Sequence, residues 1–410
     1  MASILFISPT DFIYQPRIYK AANYLNEKGY KVYIYTPITL KLTKSLIEDY
    51  SNRGIKFICT SFLKNEINGF INWLYVSFIH TIIKKLKIYF DFEVLPEYYL
   101  NKYLIKARKI FRRKFSIVSI NTVDMLPLAC RLKQFENNMI LIYDAQEYFK
   151  GQYSQLIKSE YEWVIRNEKK FIYNCDIIIT TTDVLKSRLV EEYQITKPTF
   201  RVRNTPSLTE LPKEFNITYP GKIINAIWSG VTINYRSERG IHIILDALKY
   251  VNKNVKLYLQ GIVKDDQRGL INHFISTNNL SDNVIILPPS RSDRYLESLI
   301  KYDIGISGEL GEDDNQKLTS SNKLFYYIAA GLAVVAPNLP GTQETFQKHD
   351  IGLIYRQGNS KDLADKLNEL ALDTTHLYKL KLNAHNAFKE ELNWENDYNQ
   401  LNEYLVNNLI

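Results

Sequence analysis

Cysteine is scarce in this chain, with 3 among 410 residues. Cys59, Cys130 and Cys175 are far apart, make no C-x-x-C spacing and are odd in number. That pattern excludes a disulfide framework or a structural zinc site and fits a reducing, cytoplasmic setting. A basic leader followed by a long apolar run is missing too: Met1-Ala2-Ser3 leads into only four apolar residues, so no signal peptide is expected. There is no short-period repeat, no low-complexity tract and no D-x-D placed to hold a metal. Charge of one sign is barely in excess, with 52 Lys or Arg against 44 Asp or Glu and a formal net charge of +8. This balance suits phosphate-bearing ligands or an anionic surface and is too mild for a nucleic-acid binder. With 45% hydrophobic and 23% charged residues, the chain is neither disordered nor collagen-like, and its length favours two domains.

What is present is alternation. Ile4–Ile7, stopped by Ser8-Pro9, reads as a buried parallel strand. Ile18, Ala21, Ala22 and Leu25 recur at helical spacing up to a C-capping Gly29, and Val32–Tyr35 makes a second strand ending at Pro37. Strand, helix and strand in this span form a βαβ unit, hence a parallel sheet with helices on its faces. The pattern returns with strands at 117–120, 139–143 and 177–180 around a helix from 126 to 133. A second series has strands at 225–228, 255–259, 284–287, 303–306 and 333–336, with a helix over 241–250. The Pro-rich stretch 206–222 reads as a linker between domains 1–205 and 223–385. The expected fold is two doubly wound α/β domains facing each other across a cleft.

One segment departs from this alternation. Residues 67–83 contain no Asp, Glu, Lys or Arg and include Trp73, Tyr75 and Phe78 beside Asn68, Asn72 and His80, and lysines and arginines follow as far as Lys114. The run is shorter than the roughly 20 apolar residues a spanning helix needs. It reads as an interfacial element on anionic lipid, or as a buried helix followed by a solvated basic one.

Candidate chemistry gathers at the carboxyl ends of the strands. Ser320, Ser321, Asn322 and Lys323 precede a helical run that ends at Gly331, so helix N–H groups and the Lys323 ammonium converge where a phosphate would bind. An ordinary capped helix with a surface lysine is the alternative. Gly230 closes the first strand of the second domain, Arg236 and Arg239-Gly240 precede the next helix, and Gly261 follows the next strand. Such glycines permit close backbone approach, and arginines grip a diphosphate, at the strand ends where open α/β sheets bind ligands. In the first domain, Asn121 and Asp124 end one strand and Asp144-Ala145-Gln146-Glu147 the next, and Arg17 follows the first strand. These could orient a sugar hydroxyl or serve in acid–base work, or they could be helix caps and a solvated arginine.

Over nearly its whole length the chain resembles the retaining, nucleotide-sugar-dependent glycosyltransferases of the two-Rossmann-domain (GT-B) type, family 4. Ser321–Val335, with Pro340-Gly341 and Glu344, is similar to that family's NKLFEYMAAGLPVV…PG..E donor segment. Ser229-Gly230 with Arg239-Gly240 resembles its diphosphate loop, Asp144–Glu147 its D-x-H-E motif, Gln15-Pro16-Arg17 its DPR loop, and Asn204-Thr205-Pro206 its N-x-P. Trp394 and the helix after it resemble the C-terminal segment, 386–410, that crosses back to the first domain.

The resemblance implies a hexosyltransferase without cofactor or metal, in which Arg239, Lys323 and Glu147 are catalytic. The donor would be held by Gly230, Arg236, Gly240, Gly261, Ser321, Asn322 and Tyr326. The cleft side would be formed by Arg17, Asn121, Asp124 and Gln146. The implied partners are a nucleotide sugar and a glycan or lipid-linked acceptor in cell-surface polysaccharide or glycolipid synthesis; the anionic membrane surface expected at 67–114 comes from the apolar and basic pattern of that segment, not from the resemblance. Three positions depart from the family: its donor glutamate is Tyr326, its D-x-H-E histidine is Gln146, and the histidine near the preceding strand end is Asn121. The arginine often found after the loop glycine is Val231. These departures motivate a non-catalytic binding protein as the alternative, with an epimerase or hydrolase on the same frame as a third reading.

Overall fold

The computed structural model describes residues 2–90, 104–153, 158–252, 254–291 and 294–408. The chain divides into two compact units: Met1–Thr181 with Lys186–Val202 and Tyr398–Ile410, and Thr182–Leu185 with Arg203–Asp397.

The first unit is built on β1 (Ser3–Ile7), β2 (Lys31–Ile38), β3 (Lys56–Ser61), β4 (Ile117–Ile120), β5 (Ile140–Ala145), β6 (Ile177–Thr180) and β7 (Thr199–Arg201). All pair in parallel, in the order β3-β2-β1-β4-β5-β6-β7. Its helices are α1 (Pro16–Glu27), α2 (Lys41–Asn52), α3 (Ile67–Phe90), α4 (Leu126–Phe135), α5 (Lys158–Phe171) and α6 (Asp183–Tyr193), whose first three residues belong to the second unit. Ile4–Ile7, Ile117–Ile120 and Ile177–Thr180 are buried throughout, as strands covered on both faces must be. In α1, Pro16 sits at the N-terminus, where its missing N–H costs nothing, and Ile18, Ala21, Ala22 and Leu25 face the sheet. Gly29 leaves the helix at φ +88°, a left-handed conformation that glycine adopts without strain.

Pro37 does not end β2, which continues to Ile38. Tyr35 O accepts from Ser8 N and Ile38 O from Phe62 N, so the nitrogen of Pro37 faces the β1 side beyond the last residue of β1, where no ladder bond is needed.

The second unit contains β8 (Ile224–Thr232), β9 (Val255–Ile262), β10 (Val284–Leu287), β11 (Ile304–Ile306), β12 (Ala333–Pro337) and β13 (Gly352–Tyr355), all parallel, in the order β10-β9-β8-β11-β12-β13. Its helices are α7 (Ile241–Ala247), α8 (Asp265–Thr277), α9 (Tyr295–Leu299), α10 (Asp314–Leu318), α11 (Asn322–Ala329), α12 (Pro340–Lys348), α13 (Ser360–Leu372), α14 (Thr374–Glu390) and α15 (Trp394–Asn408), which passes into the first unit at Tyr398. One face of the sheet is packed by Trp228, Ile244, Leu245 and Leu363 and the other by Phe325, Tyr327, Ile328 and Phe388.

The stretch 206–222 is packed into this unit rather than strung out as a linker. Ile217 meets Gly331, the Phe215 ring stands edge-on to His385, and Trp394 N donates to Pro206 O. Residues 386–410 are not one helix: 386–390 finish α14, and α15 starts at Trp394. Two buried ion pairs fasten these helices, Lys381 to Asp303 at 2.7 Å and Arg203 to Asp397 at 2.5 Å.

Candidate functional site

In each unit the strand order reverses beside the first strand, between β1 and β4 and between β8 and β11. At such a switch point the flanking connections leave in opposite directions and open a crevice at the carboxyl ends. In the second unit, Arg239 lies on the loop after β8 and Glu309 on the loop after β11. The loops touch backbone to backbone: a Cβ on Gly240, which holds φ +66°, would lie 2.0 Å from Gly308 O, and Leu310 N donates to Glu238 O. No larger residue fits at 240 or 308.

Lys323, on the first turn of α11, completes the cluster. α11 forms because Leu324, Phe325, Tyr327 and Ile328 all turn into the core, and it ends where Gly331 adopts φ +66°. Lys323 Nζ is 2.7 Å from Glu309 Oε1, and Arg239 Nη1 is 3.6 Å from the same oxygen. Ser307 Oγ donates to the other oxygen, and the Lys323 ammonium stands 5.4 Å from the buried Trp228 ring. Burial pushes the Glu309 carboxyl up, but the Lys323 and Arg239 charges outweigh it and hold it down at about 2, so it is ionised throughout the physiological range. Burial draws Lys323 below the usual lysine value, against the pull of Glu309.

Two cations thus share one buried carboxylate, and Arg239 remains half exposed, with a surface contact to Glu238 at 3.4 Å. Ser321, the N-cap of α11, makes no side-chain cap bond, so the helix meets this cluster with its N–H end. Such an arrangement attracts a multiply charged oxyanion.

Other expected donor residues lie around this cluster in different ways. Arg236 is exposed on the same loop as Arg239, and Asn322 is exposed beside Lys323. Gly230 does not close its strand and Gly261 does not follow one: both lie within the last residues of β8 (to Thr232) and β9 (to Ile262), where a Cβ on Gly261 would lie 2.7 Å from Gly230 O and one on Gly230 would strike the Trp228 ring. The need for glycine there is met by chain-to-chain packing. Tyr326 stacks edge-on against Tyr295 and its hydroxyl donates to Glu210 Oε2 at 3.1 Å. A carboxylate therefore does reach position 326, from a different segment. Glu344 accepts from the N–H groups of Asp183 and Val184, capping the start of α6.

In the first unit the switch point is filled from within. Arg17 forms a two-pronged pair with Asp144, 2.8 and 2.9 Å, and donates to Val202 O at 3.0 Å. Asn121 Nδ2 donates to Asp144 Oδ2 at 3.3 Å. Arg17 and Asn121 are each only 3% exposed, so neither meets solvent as a cleft group would. Burial raises the Asp144 carboxyl, opposed by Arg17. Asp124, Gln146 and Glu147 lie just past β4 and β5, half-buried; Asp124 accepts from Thr122, and the backbone of Gln146 is fixed by Thr181.

Glu309 and Ser307 went unread in the sequence. Their signal was present, since Ser307-Gly308-Glu309 directly follows a strand, as the loop carrying Arg239-Gly240 follows β8.

Residues 226–373, the segment carrying this cluster, match the family described as Glycosyl transferases group 1. No curated protein sequence matches the chain. Among solved structures, sucrose-phosphate synthase from Thermosynechococcus elongatus is similar over 99% of this chain and 98% of its own, at 14% identity and TM-score 0.69. HepE from Anabaena, in complex with UDP and glucose, aligns over 99% and 100% at 14% identity and TM-score 0.67. A variant of S. aureus TarM, in complex with Fondaparinux, alpha-GlcNAc-glycerol and UDP, aligns over 98% and 99% at 11% identity and TM-score 0.66. The fold is that of the GT-B glycosyltransferases, two parallel-sheet α/β domains.

Proposed function

We propose that the protein transfers a sugar from a nucleoside-diphosphate sugar to a glycan or lipid-linked acceptor, with retention at the anomeric carbon and with no metal. The observation that carries this reading is the convergence of Lys323 and Arg239 at the β8–β11 switch point, inside the segment that matches the family. The two cations and the head of α11 neutralise the diphosphate as the bond from the sugar C1 to the phosphate oxygen breaks. The acceptor oxygen bonds to C1, and its proton passes to the departing phosphate oxygen, so no protein base is required. Gly230, Arg236, Gly240, Gly261, Ser321, Asn322 and Tyr326 belong to the donor side, and Glu147, Gln146 and Asp124 are assigned to the transferred sugar or acceptor. HepE and TarM carry UDP, which makes UDP the first nucleotide to try.

The test is a thermal-shift series with UDP, GDP, dTDP, CMP and ADP on the wild type and on Lys323→Ala, followed by nucleotide release with and without acceptors. Stabilisation of the wild type by one nucleotide, much reduced in Lys323→Ala at the same concentration, and release that needs acceptor, are the expected results. Chelation by EDTA leaves turnover unchanged; its loss would reject the metal-free mechanism. Release without acceptor indicates a hydrolase or epimerase.

A second reading, binding without turnover, is favoured by Tyr326, Gln146 and Asn121 at positions where the family carries other residues. Nucleotide binding without release under any acceptor would select it.

A further inference from the structure

The helix α3 turns an apolar stripe away from the protein. Ile67, Phe70, Ile71, Leu74, Phe78 and Ile82 are all exposed, Ile67 by 82%, Phe78 by 66% and Ile71 by 56%. Their spacing places them along one side of the helix. The opposite side anchors it: a Cβ on Gly69 would lie 2.2 Å from Leu63 O, Val76 packs on Phe62, and Asn72 Nδ2 donates to Ser61 O at 3.0 Å. Scattered exposed hydrophobics are ordinary, but a continuous row over four turns marks a binding surface.

The chemistry beside it names the partner. The 3-10 helix Leu104–Arg112 is held to the same edge strand, β3, by Lys109 Nζ donating to Cys59 O at 3.2 Å, two residues before the Ser61 that holds α3. Lys109, Arg112, Arg113 and Lys114 are exposed there, and the Lys64 ammonium stands 4.0 Å from the Trp73 ring. Residues 67–114 carry ten Lys or Arg against three Asp or Glu, which is +7 of the chain's +8. Lys84, Lys85, Lys87, Lys102, Lys106 and Arg108 lie outside the residues whose side chains are described, and the surface is drawn without them. Among the described residues no helix is long and apolar enough to cross a membrane.

We propose that this face docks on a bilayer containing anionic phospholipid, with the α3 stripe at the boundary of headgroups and acyl chains and the basic groups on the phosphates. A second copy of the chain would gain from the apolar stripe but would set Lys109, Arg112, Arg113 and Lys114 against the same cations of its partner. Docking is independent of turnover, so an inactive protein with this face still binds.

The experiment is flotation of the full chain with phosphatidylcholine vesicles, alone or with about one-third phosphatidylglycerol, a fraction that gives a strongly negative surface. The wild type should float with the anionic vesicles at low salt and markedly less with phosphatidylcholine alone. Arg112→Gln/Arg113→Gln should bind about thirty-fold more weakly at low salt, from roughly five-fold per cation. Ile71→Glu/Phe78→Glu, at positions that face solvent, should keep the wild-type melting temperature and lose flotation at every salt concentration. Failure of the wild type to float at low salt, equal flotation with neutral vesicles, or flotation of Ile71→Glu/Phe78→Glu like the wild type overturns the proposal. So does a dimer in analytical ultracentrifugation that Ile71→Glu/Phe78→Glu dissociates.

Discussion

The two units reverse their strand order at the same place and fill it differently. At the β1–β4 switch point Arg17 and Asp144 neutralise each other one to one, 3% and 6% exposed, with Asn121 and the Val202 carbonyl completing their bonds. At the β8–β11 switch point the buried Glu309 is shared by Lys323 and Arg239, and Arg239 is half exposed and also meets Glu238 at the surface, 3.4 Å away. One topology thus yields a closed polar lock and an open cationic seat. The difference rests on exposure, which decides whether a crevice supplied by the fold is structural or available to a ligand.

The comparison breaks most sharply at Arg17. Arg17→Met leaves Asp144 buried without its counter-charge and should cost about 3–5 kcal/mol of stability, measured by denaturant unfolding, with nucleotide affinity of the folded protein unchanged. Arg17→Met/Asp144→Leu should regain most of the loss; no recovery would mean that the pair does more than satisfy itself. A contrast inside the first unit is Glu168, a buried carboxylate bonded by the Tyr143 and Tyr193 hydroxyls at 2.7 and 2.9 Å, with no cation on either oxygen among the described residues. Burial raises it to about 7, the two tyrosines pulling against this and Glu192 adding to it. Because the folded state keeps the proton that the unfolded chain releases near the ordinary glutamate value, stability from this group is full in acid. It is lost as pH rises toward 7, by about 3 kcal/mol in all. Unfolding free energies across that window should slope downward in the wild type and flatten in Glu168→Gln.

Smaller effects belong to the open seat. Lys323→Ala should weaken nucleoside-diphosphate binding by about 2 kcal/mol, roughly thirty-fold by titration calorimetry. Unchanged affinity would remove the seat from the proposed function. Arg239→Ala, at an exposed position, should change stability by less than about 1 kcal/mol and weaken the same binding about ten-fold. A stability loss as large as that of Arg17→Met would erase the distinction between lock and seat.

The central strands were legible because a parallel sheet covered on both faces demands short apolar runs, and β1, β4, β6, β8 and β12 supply them. The strands that went unread, β3, β7 and β13, all lie at sheet edges, where one side needs no partner and sequences such as Lys56–Ser61 or Thr199–Arg201 suffice. Lys323 and Arg239 were legible because their neighbours, a capped helix start and a glycine-bearing loop, are local in sequence. Glu309 was not, since its role comes from the meeting of three loops brought together by strand order.

Local chemistry in the chain therefore determined the alternation of strands and helices, the position of the α11 start with its lysine and the concentration of positive charge in residues 67–114. Tertiary structure alone decided which charges are spent. Arg17 meets Asp144 across 127 residues, and Lys323 meets Glu309 across 14. Desolvation and pairing act through space, so a charged residue's fate is set by what the fold places within a few ångströms of it.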